Sequence, residues 1–214
     1  MNFPFTTEQF LNVFKVYNLT VWPAQIFLVV LALVSIYLAV YRTKFSDKII
    51  TLTLTLYWLW IGIVYHLIFF TKINNAAYGF AVLFLLQSGL FFYYGIIKST
   101  LQFKYLNNAK GLSAIVLFLY SLIFYPLLGY SFGNIYPQTP TFGLPCPTTI
   151  FTFGLLLLLE GKVNKFLLII PVLWAVIGFT AALKLGILQD IGLLVSAILT
   201  VTVIIFESRI QQSA

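Results

Sequence analysis

The chain has 214 residues, of which 61% are hydrophobic and only 8% are charged. About a quarter of the residues of a typical soluble domain are charged, so this composition excludes a soluble globular protein and predicts an integral membrane protein. The apolar runs are continuous rather than alternating, which is typical of membrane helices and not of barrel strands. We therefore expect an all-α integral membrane protein.

Residues 1–20 predict an amphipathic helix that lies at the membrane interface. Phe10, Phe14 and Tyr17 recur at roughly helical spacing, and Thr6 and Gln9 are placed as a capping box. Asn18 begins the tripeptide Asn-Leu-Thr, a weak match to an N-glycosylation acceptor.

Seven apolar runs follow, and each is a candidate transmembrane helix. They lie near residues 21–41, 49–70, 76–97, 111–131, 146–160, 165–183 and 187–206. A helix needs about 20 apolar residues to cross the hydrocarbon core, and the fifth run is shorter than this. A six-span alternative, in which residues 146–160 form a re-entrant segment, therefore stays open.

Basic residues concentrate in alternate connections between these runs. One side has Arg42, Lys44, Lys48, Lys98, Lys104, Lys110, Lys162, Lys165 and Arg209, whereas the other side has only Lys15, Lys72 and Lys184. Because basic residues in short loops mark the cytoplasmic side, the N-terminus is predicted outside, and residues 208–214 form a cytoplasmic tail. Lipid headgroups are a sufficient counterion for the net charge of +7. The bilayer is thus an expected partner and nucleic acid is not, while the oligomeric state stays open.

Two sets of three spans resemble each other. Pro23 and Trp58 of the first set correspond to Pro147 and Trp174 of the second, in the same order along the chain. This predicts a 3+1+3 parallel repeat about an axis along the membrane normal, with residues 21–98 and 146–207 as the two repeats and 99–131 as the linker helix. Chance similarity between apolar segments is the alternative.

This architecture resembles that of the SWEET and PQ-loop transporters, but the motifs differ, because Pro23 and Gln25 are not adjacent. A rhodopsin function is disfavoured, since the last span contains no lysine for a retinal Schiff base. Over most of its length, including "VYNLTVWPAQ", "YHLIFFTKINNAAYGF" and "PVLWAVIGFTAALKLGILQDIGLL", the chain resembles a family of small bacterial multi-pass membrane proteins classed as a domain of unknown function. That resemblance implies the bacterial inner membrane and no particular activity.

Polar side chains collect at the predicted outer ends of the spans, where they would face one aqueous side. The candidate ligand-binding residues are Gln25, His66, Asn74, Tyr125, Tyr136, Cys146, Thr149, Gln189 and Asp190. Tyr136 belongs to the uncharged Pro/Gly-rich loop 132–145, which is predicted to fold over the bundle as a lid. Each residue also has a structural interpretation, as a capped interfacial histidine, a small apolar filler or a helix cap.

His66, Cys146 and Asp190 together offer borderline, soft and hard donors, so a metal ion is one predicted ligand. The single cysteine excludes an intrachain disulfide and a multi-thiol zinc site. No other cofactor is indicated.

Two classes of function follow. The first is a permease for a small solute or metal ion with an outward-facing polar site. The second is a non-transporting binding, accessory or sensor protein for a metal, lipid or quinone. An enzyme is the least favoured class, because the chain has neither a Gly-x-Ser-x-Gly elbow nor a His-Glu-x-x-His motif.

Overall fold

A computed structural model describes the backbone of residues 4–213 and the side chains up to residue 207. The described chain forms eight helices: α1 Thr7–Thr20, α2 Ala24–Val40, α3 Ser46–Lys72, α4 Ala76–Ile97, α5 Ala109–Ser131, α6 Pro145–Leu157, α7 Phe166–Leu185 and α8 Ile191–Ser213. Within this part of the chain there are isolated β-bridges but no strands. The prediction of an all-α protein is confirmed.

Five helical segments are long and apolar enough to cross a membrane, as expected of a multi-pass membrane protein: α3, α4, α5, α7 and Leu188–Glu207. The number rises to six if α1 and α2, which are bent by 84° from each other, count as one broken span. The predicted seven spans are not confirmed, because α6 has only 13 residues and α2, with 17, is counted only together with α1. The side chains of the predicted cytoplasmic tail lie outside the described residues.

The short helix α6 lies in the centre of the bundle. All its residues are buried except Cys146, which is half-buried, and it packs against α5, α7 and α8. At 1.5 Å per residue its 13 residues span about 20 Å, against the ~30 Å of a bilayer core. A helix surrounded by protein need not match the bilayer thickness, so the fifth run can be shorter than the others.

The connections between helices meet at two opposite ends. At the basic end, Arg42 forms ion pairs with Asp47 and Glu160, and Lys104 also approaches Glu160. At the other end, which we call the α1 end, the chain before α2 contacts the loop before α6. Segment 145–160 therefore runs from one end to the other, whereas a re-entrant segment would return to its starting end.

The predicted internal repeat has no clear counterpart in the packing. The first and third helices of the second set, α6 and α8, pack extensively, whereas α2 and α4 of the first set are not among the closely packed pairs of the described residues. Pro23 also precedes α2, while Pro147 lies within the first turn of α6. The repeat remains a prediction.

Three spanning helices contain a π-helical stretch. These stretches are Ile61–Phe69 in α3, Tyr93–Ile97 in α4 and Tyr120–Phe124 in α5. A wider turn changes which side chains face the interior, and such turns are frequent at functional sites. The first carries Tyr65 and His66, and the third immediately precedes Tyr125.

Candidate functional site

Cys146 is fixed at the start of α6 by two prolines. The first N–H groups of a helix have no partner within it, so Pro145 and Pro147 remove no helical hydrogen bond there. Gly143, with φ of 98°, adopts a conformation that suits glycine, and its N–H donates to Thr148 Oγ1 at 3.1 Å. The chain before the helix is thereby tied to its first turn, and the thiol has a defined position at the α1 end.

Asp190 lies on the turn that begins the last span. Gly186, with φ of 73°, ends α7, and the short 3₁₀ turn Leu188–Asp190 leads into α8. The Asp190 side chain is buried, its Oδ1 accepts a hydrogen bond from the Tyr125 hydroxyl, and the Cys146 thiol lies beside the same carboxyl group. Among the described residues it forms no ion pair.

A cavity of about 100 Å³, here called the central cavity, lies between these groups and a set of aromatic rings. Its polar wall contains Asn74, Cys146 and Asp190. Its aromatic wall consists of Phe5, Phe10, Phe14, Tyr65, Phe70, Phe80 and Trp174. The cavity therefore combines one carboxyl group with a largely apolar, ring-lined interior.

Helix α1 covers the central cavity. The capping box at Thr6 and Gln9 is present as predicted, and α1 contacts the π-helical part of α3. The ring of Phe10 lies 5.7 Å from that of Phe70, and the ring of Phe14 lies 6.3 Å from that of Tyr65. Loop 132–145, the predicted lid, contributes only Pro140, Leu144 and Pro145 to the lining. The main cover is thus the helix that was predicted to lie at the interface.

Loop 132–145 is held in place by the end of α1. Asn18 Nδ2 donates to the carbonyls of Pro137 and Thr139, both at 2.8 Å, and its Oδ1 accepts from Gln25 and Thr141. The Asn18 side chain is fully buried. A glycan cannot be attached to a buried asparagine in this fold. Asn18 instead holds loop 132–145, and its match to the glycosylation tripeptide is incidental.

His66 does not join Cys146 and Asp190, and the predicted three-residue metal site is not formed. Its fully buried ring packs against Phe84 and Trp174, with centroids 4.7 and 5.3 Å away, behind the aromatic wall. Neither ring nitrogen has a hydrogen-bond partner within the part of the chain that the structure describes. Among the described residues, no three His, Cys, Asp or Glu side chains are placed to hold one metal ion. The histidine does not line the central cavity, although its ring packs against Trp174, which does.

Three other predicted residues line a second space, here called the lateral groove. It measures about 480 Å³, lies between α2, α5 and loop 132–145, and is lined by Gln25, Tyr125 and Tyr136. Gln25 is buried, and its Oε1 has no partner. Gln189 lies nearby, with Oε1 accepting from Asn134 Nδ2 at 3.2 Å. The predicted cluster is thus divided between two spaces, with the hydrogen bond from Tyr125 to Asp190 between them.

Below the central cavity, buried polar atoms without partners occur at successive depths. They include Thr149 Oγ1, Thr200 Oγ1 and Gln87 Oε1. Counted along each helix from its start at the α1 end, these residues lie about 6, 14 and 17 Å from that start, at 1.5 Å per residue. Buried polar groups are normally paired, so these atoms are unusual for a protein interior, although none of them lines the central cavity or the lateral groove.

Sequence reasoning missed Tyr65, Phe80 and Trp174 as parts of the site. Apolar and aromatic residues occur on every face of a membrane helix, so these rings carry no signal that separates a cavity wall from a lipid-facing surface. Asn18 was detectable only as part of a glycosylation tripeptide.

The comparisons with known proteins give a family but no activity. A family model described as "Family of unknown function (DUF6064)" matches residues 7–214. The searches of curated proteins and of solved structures found no match.

Proposed function

The chain belongs to this family of unknown function, and we propose from its site that it is a permease that binds a small solute in the central cavity and passes it through the helix bundle. The positive-inside pattern favours an outer location for the α1 end, so the proposed entry of the solute is from the outer face. The bacterial inner membrane is the proposed location.

One observation carries this proposal: the carboxyl group of Asp190 is buried in the wall of the central cavity, and its close polar neighbours among the described residues are neutral. An ionisable residue within a membrane-spanning segment is costly and marks a solute or ion pathway by default. A purely structural role for Asp190 would not require a neighbouring cavity.

The unpartnered polar atoms below the cavity favour passage over static binding. Thr149 and Thr200 lie deeper than Cys146 and face the protein interior, where both are fully buried. Each buried polar atom without a partner costs about 1–3 kcal/mol. A bundle that only held a ligand at its end would gain nothing from such atoms farther in.

The non-transporting alternative is supported by the lateral groove. Ile26 and Val30 line this groove and are about half exposed, in a segment where exposed apolar side chains face lipid. An amphiphile such as a lipid or quinone would insert its apolar part there and reach Gln25 with its head group. An accessory or sensor protein needs only this binding step.

Uptake into proteoliposomes separates the two functions. The purified protein is reconstituted and tested with labelled small amines, alcohols and amides, with empty liposomes as the control for leakage. Selective uptake by the wild type that is lost in Asp190→Asn supports the permease. Folded protein that binds a solute and takes up none would contradict it.

A further inference from the structure

We infer that the central cavity selects a small organic cation, an ammonium group that pairs with the Asp190 carboxylate and lies against the aromatic wall. This inference names the substrate class and rests on the proposed role of the cavity as the solute site. It does not depend on whether the bound solute is transported.

The first argument is charge. Asp190 has Tyr125 and Cys146 as close polar neighbours, and both are neutral donors. Asp190 takes part in none of the ion pairs that join two described residues, which lie at the basic end. A buried carboxylate is disfavoured unless a positive charge compensates it, and without one the group takes up a proton. A cation in the cavity supplies that charge, whereas an anion would be repelled.

The second argument is the chemistry of the opposite wall. The rings of Tyr65, Phe80 and Trp174 line the cavity. Tyr65 and Phe80 both stack on Phe70, with interplanar angles of 17° and 16°, so the faces of Phe70 are turned to these rings and not to the cavity. The indole of Trp174 meets Phe80 nearly at a right angle, at 77° and a centroid distance of 5.4 Å. Aromatic faces attract cations and are the usual lining of sites for quaternary ammonium groups. The two walls thus offer complementary interactions to one kind of ligand.

The third argument is size and donor number. An engineered cavity of about 150 Å³ holds benzene, so a cavity of about 100 Å³ takes a ligand of about four or five heavy atoms. A bare metal ion requires several protein ligands, and no suitable group of three exists among the described side chains. Asn74 Oδ1 already accepts from the Ala76 N–H at 3.0 Å. An organic cation fits the volume and needs a single carboxylate.

The test compares two probes of the same shape and heavy-atom number, tetramethylammonium and tert-butanol. Their binding to the purified, detergent-solubilised full chain is measured by calorimetry for the wild type, Asp190→Asn and Asp47→Asn. Asp47→Asn is the matched control, because Asp47 pairs with Arg42 at the basic end, away from the cavity. Wild type and Asp47→Asn are expected to bind tetramethylammonium at least tenfold more tightly than tert-butanol. Asp190→Asn is expected to lose this preference.

A second variant keeps the carboxylate and so avoids dependence on the folding of Asp190→Asn. Phe80→Leu removes one ring of the aromatic wall and should weaken tetramethylammonium binding about 2- to 5-fold, with little effect on tert-butanol. The inference is overturned if the wild type binds the two probes equally. It is also overturned if Asp190→Asn keeps the same preference for tetramethylammonium as the wild type. Absent uptake in liposomes would overturn only the proposed transport, because these titrations require no membrane.

Discussion

The hydroxyl of Tyr125 donates a hydrogen bond to Oδ1 of Asp190, which joins α5 to the turn that begins α8. The ring of Tyr125 lines the lateral groove, and Asp190 lines the central cavity. One side-chain contact therefore separates the two spaces at the α1 end. Its removal should affect both stability and ligand binding.

Replacement of Tyr125 by Phe tests this contact, since it keeps the ring and removes only the donor. The substitution leaves a buried Asp190 oxygen without its partner, which costs about 1–3 kcal/mol, so we expect a loss of that size in the free energy of unfolding in detergent. Cation binding should weaken as Asp190 loses its positioning partner. The control is Tyr130→Phe, because Tyr130 is 68% exposed; equal effects of the two substitutions would contradict the assigned role.

Asn18 is expected to be the main anchor of loop 132–145. Asn18→Ala removes four hydrogen bonds to Pro137, Thr139, Thr141 and Gln25 and should lower the free energy of unfolding by about 3 kcal/mol. The loop should also become sensitive to protease. Asn12→Ala on the exposed face of the same helix serves as the control, and a loop that stays protease-resistant in Asn18→Ala would show that other contacts hold it.

The cover formed by α1 can be tested through the only cysteine of the chain. In Phe10→Ala, the cavity loses part of its cover, so an impermeant maleimide should modify Cys146 faster than in the wild type when it is added to intact cells. The free energy of unfolding should fall by about 2 kcal/mol, which is less than the cost of replacing a fully buried phenylalanine by alanine. Phe27→Ala, at a position 57% exposed on α2, should not change the rate. Modification only from the cytoplasmic side would reverse the proposed orientation.

Much of the helical framework was predictable, because the length of each apolar run is read directly from the chain. The start of α6 at Pro145 and the capping box of α1 are local features, and the sequence contains all the residues that determine them. The grouping of basic residues at one end also follows from the order of the loops. Such reasoning predicts how far along its helix a residue lies and which end of the helix it is nearest.

The rotation of each helix about its axis was not predictable, and the errors at the site have this cause. His66 was expected to share a pocket with Cys146 and Asp190, but its ring packs against Trp174, behind the aromatic wall. The π-helical stretch Ile61–Phe69 alters the helical register there. Interior-facing and lipid-facing residues are both apolar in this chain, so no periodicity reveals which side of a helix lines the cavity.

The central claim, passage through the bundle, is tested most directly by Thr149→Val with Thr200→Val. Both hydroxyls are buried without partners, and valine matches threonine in shape, so folding and binding at the central cavity should be retained. Thr202→Val, on the exposed side of α8, is the matched control.

Uptake of tetramethylammonium, or of the solute that the liposome screen selects, is measured together with binding for the wild type, the double variant and Thr202→Val. We predict that the double variant binds as the wild type does but takes up solute much more slowly, while Thr202→Val behaves as the wild type. Unchanged uptake by the double variant would contradict passage along this interior route.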